Sequence, residues 1–175
     1  RVLFRSNMGI TEDGEVPSPF HANILGSVSS SPLQMASVFG AIANSGQQCT
    51  PQSIESVTDR DENVLKEFSA DCKEVISADV ANKTAALLTA SAGQYYTSTR
   101  LGDGRPFAAK SGTTDGHANT WLTGFTPSVV TSAWVGHGAN SSQEVGSVTI
   151  NGKYYGEIYG ETFVGQNIWA PYMTQ

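Results

Sequence analysis

The sequence predicts an α+β fold in which an antiparallel sheet is packed by helices. Helical patterns lie near the beginning and at the end of the 175 residues, and strand patterns are grouped between them. The connections between successive strand patterns are short, as is typical of antiparallel neighbours. A chain of this length can form one domain with a substantial hydrophobic core.

The composition excludes several classes of protein. The chain is 39% hydrophobic and 15% charged, which is ordinary for a globular domain. Its formal net charge of −6 and the absence of any Lys/Arg run argue against nucleic acid as a partner. No apolar stretch approaches the roughly 18 residues of a membrane span.

The strongest helix signal begins at Ser31. Ser31 suits the N-cap, Pro32 the first helical position, and Gln34 completes a capping box. Gly46 is the expected stop. Apolar side chains spaced by three and four residues predict a buried face made of Met35, Val38, Phe39 and Ile42.

A second helix is predicted from Ser77, which can cap it, to Gly93, which can end it. Asp79 lies in its first turn, where a negative charge is favoured. Its inner face is expected to consist of Val80, Thr84, Leu87 and Leu88. Between the two helices, residues 50–68 predict two short strands around a polar turn.

Strand patterns dominate the rest of the chain. Three consecutive antiparallel strands are predicted at 105–114, 120–125 and 129–136. Asn151–Gly152 is a strong hairpin signal between two further strands. Apolar residues within 160–173 predict a terminal helix that packs on the sheet and is ended or kinked at Pro171.

The two cysteines leave two interpretations open. Cys49 and Cys72 are too far apart in sequence for a CxxC redox or zinc motif. They are either two unrelated buried thiols or a disulfide that closes a hairpin, which requires an oxidising compartment.

Residues 107–114, FAAKSGTT, carry the candidate chemistry. The stretch is not a phosphate-binding loop, because G-x-x-x-x-G-K-[ST] needs glycine before the lysine. Lys110 is either a solvent-facing lysine of an edge strand or part of a K-[ST]-G box. Such a box presents a cation, hydroxyls and backbone N–H groups to an anionic acyl substrate, and its glycine lets the substrate approach closely.

The segments around this box decide between these interpretations. PLQMASVFGAIANSG, then AAKSGTT with NTWLTGFTPSVVTSAWVG, then YGETFVGQNIWAPYM occur in this order. Together they resemble the carboxy-terminal part of the transpeptidase domain of class A penicillin-binding proteins, over most of residues 24–173, with an actinobacterial-like cysteine pattern. The resemblance implies the penicillin-binding-protein/serine β-lactamase-like transpeptidase fold, incomplete in this chain.

The resemblance implies a role for each residue of the box. Lys110 matches the lysine that holds the substrate carboxylate and supports proton transfer near the nucleophile. Ser111 and Thr113 match the hydroxyls that bind this carboxylate in a D-Ala-D-Ala stem peptide or a β-lactam. The backbone N–H of Thr113 matches one donor of the oxyanion hole. Gly112 keeps the strand open to substrate, and Thr114 is a weaker contact.

The chain also departs from the family pattern. Ala109 stands where glycine usually precedes the lysine, and Asn119 stands where aspartate is common. His117, in the turn after the box, is expected to be a solvated loop residue rather than a substrate contact. Trp121 and Trp134 match core aromatics of adjoining strands.

The largest departure is the absence of a nucleophile. Serine acyl-transfer enzymes of this kind use S-x-x-K and S-x-N motifs, and this sequence contains neither. We therefore expect the serine to lie outside this chain and the isolated chain to be inactive. We expect residues 1–6 to be a non-native leader and 7–175 the C-terminal portion of a single transpeptidase domain. No cofactor is implied, and His21 and His137 lack partners at metal-ligand spacing.

The implied function is part of a peptidoglycan D,D-transpeptidase that cross-links stem peptides through a serine acyl-enzyme and binds β-lactams. The alternatives are a fragment of a D,D-carboxypeptidase or serine β-lactamase, or a non-catalytic relative that binds wall peptides. The family works at the extracytoplasmic face of the bacterial membrane, which a missing N-terminal part of the parent would contact. That compartment favours a disulfide between Cys49 and Cys72.

Overall fold

The computed structural model describes residues 8–10, 29–138 and 142–175, so that the predicted leader and His21 lie outside the described residues. No helix within these ranges is both long and apolar enough to cross a lipid bilayer. The described elements are, in chain order, α1 (Pro32–Ala43), β1 (Gln47–Cys49), β2 (Ser56–Thr58), β3 (Val64–Glu67), β4 (Cys72–Glu74), α2 (Ala78–Tyr95), β5 (Ala108–Thr113), β6 (Asn119–Phe125), β7 (Val130–Gly136), β8 (Val148–Ile150), β9 (Lys153–Tyr155), α3 (Gly160–Trp169) and α4 (Ala170–Met173).

The central sheet has the strand order β5-β6-β7 and is antiparallel throughout. Both the three consecutive strands and the α+β class are therefore confirmed. Lys110 lies opposite Thr123, and Gly112 lies opposite Trp121. Among the described residues β5 pairs only with β6, so no described strand pairs with its other edge, which we call the free edge. The β8–β9 hairpin is confirmed too, with positive φ angles of 52° at Asn151 and 78° at Gly152.

Helix α1 has the predicted capping box. The Ser31 hydroxyl accepts the N–H of Gln34 at 3.2 Å, and the Gln34 side chain accepts the N–H of Ser31 at 2.8 Å. The chain leaves the helix through Gly46, whose φ is +92°. A side chain at position 46 would overlap the carbonyl oxygen of Ile76, so glycine is required there on two grounds.

Helix α2 begins as predicted, with the Ser77 hydroxyl as its cap, but it does not end at Gly93. It continues to Tyr95, and the N–H of Tyr96 still bonds to the carbonyl of Ala92 at 3.0 Å. An internal glycine costs a helix only about 1 kcal/mol. Burial of Ala92 and Tyr96 in the core offsets this cost.

The predicted inner face of α2 is half wrong. Thr84 and Leu88 are half-buried, whereas Val80 and Leu87 are 46% and 72% exposed. The buried positions are instead Ala81 and Ala92, and Ala85 and Leu88 are half-buried beside them.

The terminal helix has wider turns than an α-helix. The N–H of Val164 bonds to the carbonyl of Tyr159, and the N–H of Ala170 bonds to that of Gly165, so that donor and acceptor are five residues apart. The carbonyl of Ala170 accepts the N–H of Thr174, four residues on, so α-helical spacing returns and the helix continues past Pro171 to Met173. Termination at Pro171 is therefore wrong, because proline is tolerated in the first turn of the new α-helical segment.

The two faces of the sheet carry separate cores. Helix α1 packs on one face, where Phe39 meets Phe125 with 6.4 Å between ring centroids. Helices α3 and α4 pack on the other face, as predicted for the terminal helix. There Trp169 is fully buried, and its indole N–H donates to the carbonyl of Thr131 at 3.0 Å.

A disulfide joins Cys49 of β1 to Cys72 of β4, its direct partner in the two-stranded pair. The enclosed segment forms the predicted pair of short strands, β2 and β3. Their turn is organised by Asp59, whose carboxylate accepts the N–H groups of Asp61 at 2.8 Å and Asn63 at 2.9 Å. Hydrogen bonds from Asn63, chiefly from its side chain, lower the pKa of Asp59.

Reduction of the Cys49–Cys72 bond is expected to lower the free energy of unfolding by about 3 kcal/mol, the chain-entropy value for a loop of this length. The measurement is urea unfolding with and without dithiothreitol. A Cys49→Ser/Cys72→Ser variant is the control and should show no response to the reductant. Equal unfolding midpoints for the oxidised and reduced chain would contradict the prediction.

Candidate active site

The site is built on the last four residues of β5. Successive side chains of a strand point to opposite faces, so Lys110 shares one face with Gly112, while Ser111 and Thr113 share the other. The side chains of the box therefore lie on both faces of the sheet and do not form one surface. All of them lie beside the free edge of β5.

Backbone groups of β5 alternate between the neighbouring strand and the free edge. The N–H of Ser111 bonds to the Tyr96 hydroxyl at 2.8 Å and thus points away from β6. The N–H of Thr114 bonds to the carbonyl of Asn119 at 3.0 Å and therefore points toward β6. The two-residue period then directs the N–H of Thr113 outward at the free edge. This orientation is the one that an oxyanion donor needs.

Lys110 is exposed, and its Nζ donates to the carbonyl oxygen of Ser111 at 2.7 Å. Within residues 8–10, 29–138 and 142–175, no carboxylate lies within salt-bridge distance of this ammonium. The ammonium is held beside the free edge by the neutral Ser111 carbonyl, so its positive charge remains available to an anion.

The hydroxyls of the box have different partners. The Tyr96 hydroxyl donates to Ser111 Oγ at 3.2 Å, and the N–H of Gly160 donates to Thr113 Oγ1 at 3.2 Å. Both contacts use the serine or threonine oxygen as acceptor and leave its proton for another partner. Thr114 Oγ1 accepts the N–H of Asn119 at 2.9 Å, which closes the turn after β5.

Tyr96 and Gly160 were missed by reasoning from the sequence. Tyr96 follows α2 beside a second tyrosine, and no local pattern distinguishes the two. Gly160 opens α3, and its backbone lies against Gly112 and the carbonyl of Trp121. Each reaches the box through tertiary packing, over 15 and 47 residues of sequence.

The residues that depart from the family pattern have structural partners. Ala109 is fully buried opposite Gly124, which leaves room for the extra methyl group. The Asn119 side chain accepts the indole N–H of Trp134 at 3.0 Å. His117 lies in the turn after β5, as expected, but it is half-buried rather than fully solvated, with its ring 4.5 Å from that of Tyr159.

Trp121 and Trp134 form a cross-strand pair with 6.1 Å between ring centroids. They lie on the face of Gly112 and are half-buried rather than part of the core. Across the ranges that the structure describes, no three His, Cys, Asp or Glu side chains converge to hold a metal ion. A cavity of about 210 Å³ lies behind Tyr96, lined in part by Arg100 and Phe107, and includes no residue of the box.

The comparisons with known proteins agree with this geometry. The family described as the penicillin-binding protein transpeptidase domain matches residues 3–159. Penicillin-binding protein 1A of Mycobacterium tuberculosis is 35% identical over 135 residues, 73% of this chain and 16% of that protein. Penicillin-binding protein 1A of Aquifex aeolicus is 32% identical over 71% of this chain and 17% of its own length. The chain thus spans less than a fifth of these relatives.

The solved structure of penicillin-binding protein PonA1 from Mycobacterium tuberculosis superposes with a TM-score of 0.76 and 28% identity. The match covers 97% of this chain and 47% of that one. PonA1 in complex with penicillin V superposes with a TM-score of 0.75 and 30% identity, over 94% of this chain and 43% of that one. The fold, the K-S-G-T strand and these matches show that the chain belongs to the transpeptidase-domain family of class A penicillin-binding proteins.

Proposed function

We propose that this chain forms one wall of the active site of a peptidoglycan D,D-transpeptidase, and that residues 7–175 are the C-terminal portion of its domain. The observation that carries the proposal is the free edge of β5, where a lysine without a salt bridge among the described residues, two hydroxyls and an outward backbone N–H lie within four residues. A cation, hydroxyl donors and an edge N–H together fit a substrate that has both a carboxylate and a reacting carbonyl.

The reaction begins with a serine supplied by another segment of the protein. Its oxygen attacks the carbonyl carbon of the penultimate D-alanine, and a tetrahedral oxyanion forms. The C–N bond then breaks, and the terminal D-alanine leaves as an amine that takes up the serine proton. An amine of a neighbouring stem peptide attacks the resulting ester, and the serine oxygen leaves with a proton. With a β-lactam, the ring amide opens and the product stays attached to the serine.

The residues of this chain bind the carboxylate of the ligand and stabilise the oxyanion. The Lys110 ammonium and the hydroxyls of Ser111 and Thr113 hold the terminal carboxylate of the stem peptide or of the β-lactam. The Thr113 N–H donates to the oxyanion of both tetrahedral intermediates. The site acts at the extracytoplasmic face of the bacterial membrane, where peptidoglycan is assembled and where the Cys49–Cys72 bond is stable.

Incubation with a fluorescent penicillin tests the proposal. A longer protein that joins this chain to a segment with S-x-x-K and S-x-N motifs is expected to gain a stoichiometric adduct, measured by intact mass. The 175-residue chain alone is expected to gain none, since it can bind a ligand but contains no such nucleophile.

The control for this experiment is the longer protein with alanine in place of the S-x-x-K serine, which should not react. Failure of the longer protein to form an adduct would contradict the transpeptidase proposal. A mass shift in the chain alone would contradict the assignment of the nucleophile to another segment.

A further inference from the structure

The phenol of Tyr96 lies against the middle of the candidate site. Its side chain is 6% exposed and belongs to the core cluster of Ala92 and Leu101, whereas its neighbour Tyr95 is 68% exposed. A buried phenol needs hydrogen-bond partners, because loss of water from an unpaired hydroxyl costs free energy.

Among the described residues, both hydrogen-bond partners of the Tyr96 hydroxyl belong to Ser111. The Ser111 N–H donates to the phenol oxygen at 2.8 Å, and the phenol donates its single proton to Ser111 Oγ at 3.2 Å. The Ser111 oxygen is therefore an acceptor inside the protein, and its own proton must find an acceptor elsewhere. Among the described residues, no protein group accepts that proton.

We infer that Tyr96 is a positioning residue that makes Ser111 a fixed hydrogen-bond donor toward the ligand carboxylate. This inference rests on the proposed function. The Ser111 N–H, the Tyr96 hydroxyl and the Ser111 hydroxyl form a directed chain in which each donor polarises the next. An ionised carboxylate can only accept hydrogen bonds, so it matches the end of this chain.

The same contact sets where a ligand backbone can pair with β5. The outward N–H of Ser111 is already used by Tyr96, so the next outward N–H along the edge is that of Thr113. No part of this arrangement requires contact between Tyr96 and the ligand.

The test compares benzylpenicillin with its methyl ester as acylating agents of the longer protein described above. Tyr96→Phe keeps the buried ring and removes only the hydroxyl. We expect the preference for the free acid over the ester to fall about tenfold, because the hydrogen bond from the Ser111 hydroxyl to the charged carboxylate is lost when that hydroxyl is no longer oriented, while the rate with the ester changes less than twofold. Tyr95→Phe is the matched control and should leave both rates unchanged.

A double-mutant cycle with Ser111→Ala separates positioning from simple packing. If Tyr96 acts through the Ser111 hydroxyl, Tyr96→Phe lowers the preference for the free acid no further in the Ser111→Ala background, which keeps only the backbone N–H contact of residue 111 with Tyr96. Equal losses with acid and ester, or the same loss in both backgrounds, would overturn the inference. Should Tyr96→Phe fail to fold, Ser111→Ala alone must still lose the preference for the acid, and retention would overturn it.

The two proposals fail in distinguishable ways. If the unsubstituted longer protein forms no penicillin adduct, the transpeptidase proposal fails and the role of Tyr96 fails with it. If the adduct forms and Tyr96→Phe keeps the full preference for the free acid, only the role of Tyr96 is wrong.

Discussion

Thr113→Pro is expected to slow acylation by benzylpenicillin about 100- to 1,000-fold beyond Thr113→Ala, the usual effect of losing one oxyanion donor. Proline removes a backbone N–H that points to the free edge of β5, so no ladder bond to β6 is lost. Both substitutions remove the hydroxyl and its contact with the Gly160 N–H. Their difference therefore measures the replacement of the backbone donor by the proline ring.

The measurement is the second-order rate constant for adduct formation in the longer protein that contains the nucleophile. Thermal unfolding midpoints of the two variants show whether both remain folded. Equal rate constants for folded Thr113→Pro and Thr113→Ala would show that the Thr113 N–H does not stabilise the oxyanion.

Gly160→Ala is expected to destabilise the protein by about 3 kcal/mol, which is at the upper end of the usual cost of overpacking. The added methyl group would overlap the carbonyl of Trp121 and lie 3.0 Å from the carbonyl oxygen of Gly112. Neither is a side chain that can rotate away, so the first turn of α3 must move off β5 and β6. That movement disturbs the buried Phe163 and Val164.

Gly156→Ala is the matched control, since its nearest neighbour is the ring of Tyr154 at an ordinary contact distance of 3.5 Å. Its midpoint should change little, as surface substitutions usually contribute within 0.5 kcal/mol or so. The Gly160→Ala midpoint should fall by roughly 6–12 °C for a domain of this size. Equal midpoints in the two variants would contradict the packing described for α3.

The features that the sequence predicted well are those with local causes. The capping box of α1 uses atoms three residues apart, and Asn151–Gly152 specifies its turn through its own φ angles. The end of α2 was predicted wrongly because packing of Ala92 and Tyr96 overrides the helix-breaking tendency of Gly93. The wide turns of α3 likewise depend on how Trp169 fits the sheet, which no local pattern encodes.

The residues of the candidate site likewise fall into those that local sequence predicts and those that tertiary packing brings to the site. A four-residue motif was enough to name the candidates Lys110, Ser111 and Thr113, because the residues of the box are consecutive in the sequence. The hydrogen-bond partners of Ser111 and Thr113 could not be predicted, since the Tyr96 hydroxyl and the Gly160 N–H belong to segments distant in sequence. The partial burial of His117 has a related cause, because its ring packs against Tyr159, 42 positions further along the chain.

The free edge of β5 has a consequence for self-association. An unpaired strand edge is a template on which another polypeptide can continue a sheet, and this leads to aggregation when the added strand is long. The Tyr96 hydroxyl occupies the N–H of Ser111 and so interrupts that template in its middle. A short peptide can still pair at Thr113, whereas a full strand from a second molecule meets a blocked position. The contact between Tyr96 and Ser111 thereby shortens the stretch of edge on which a second copy could add a strand.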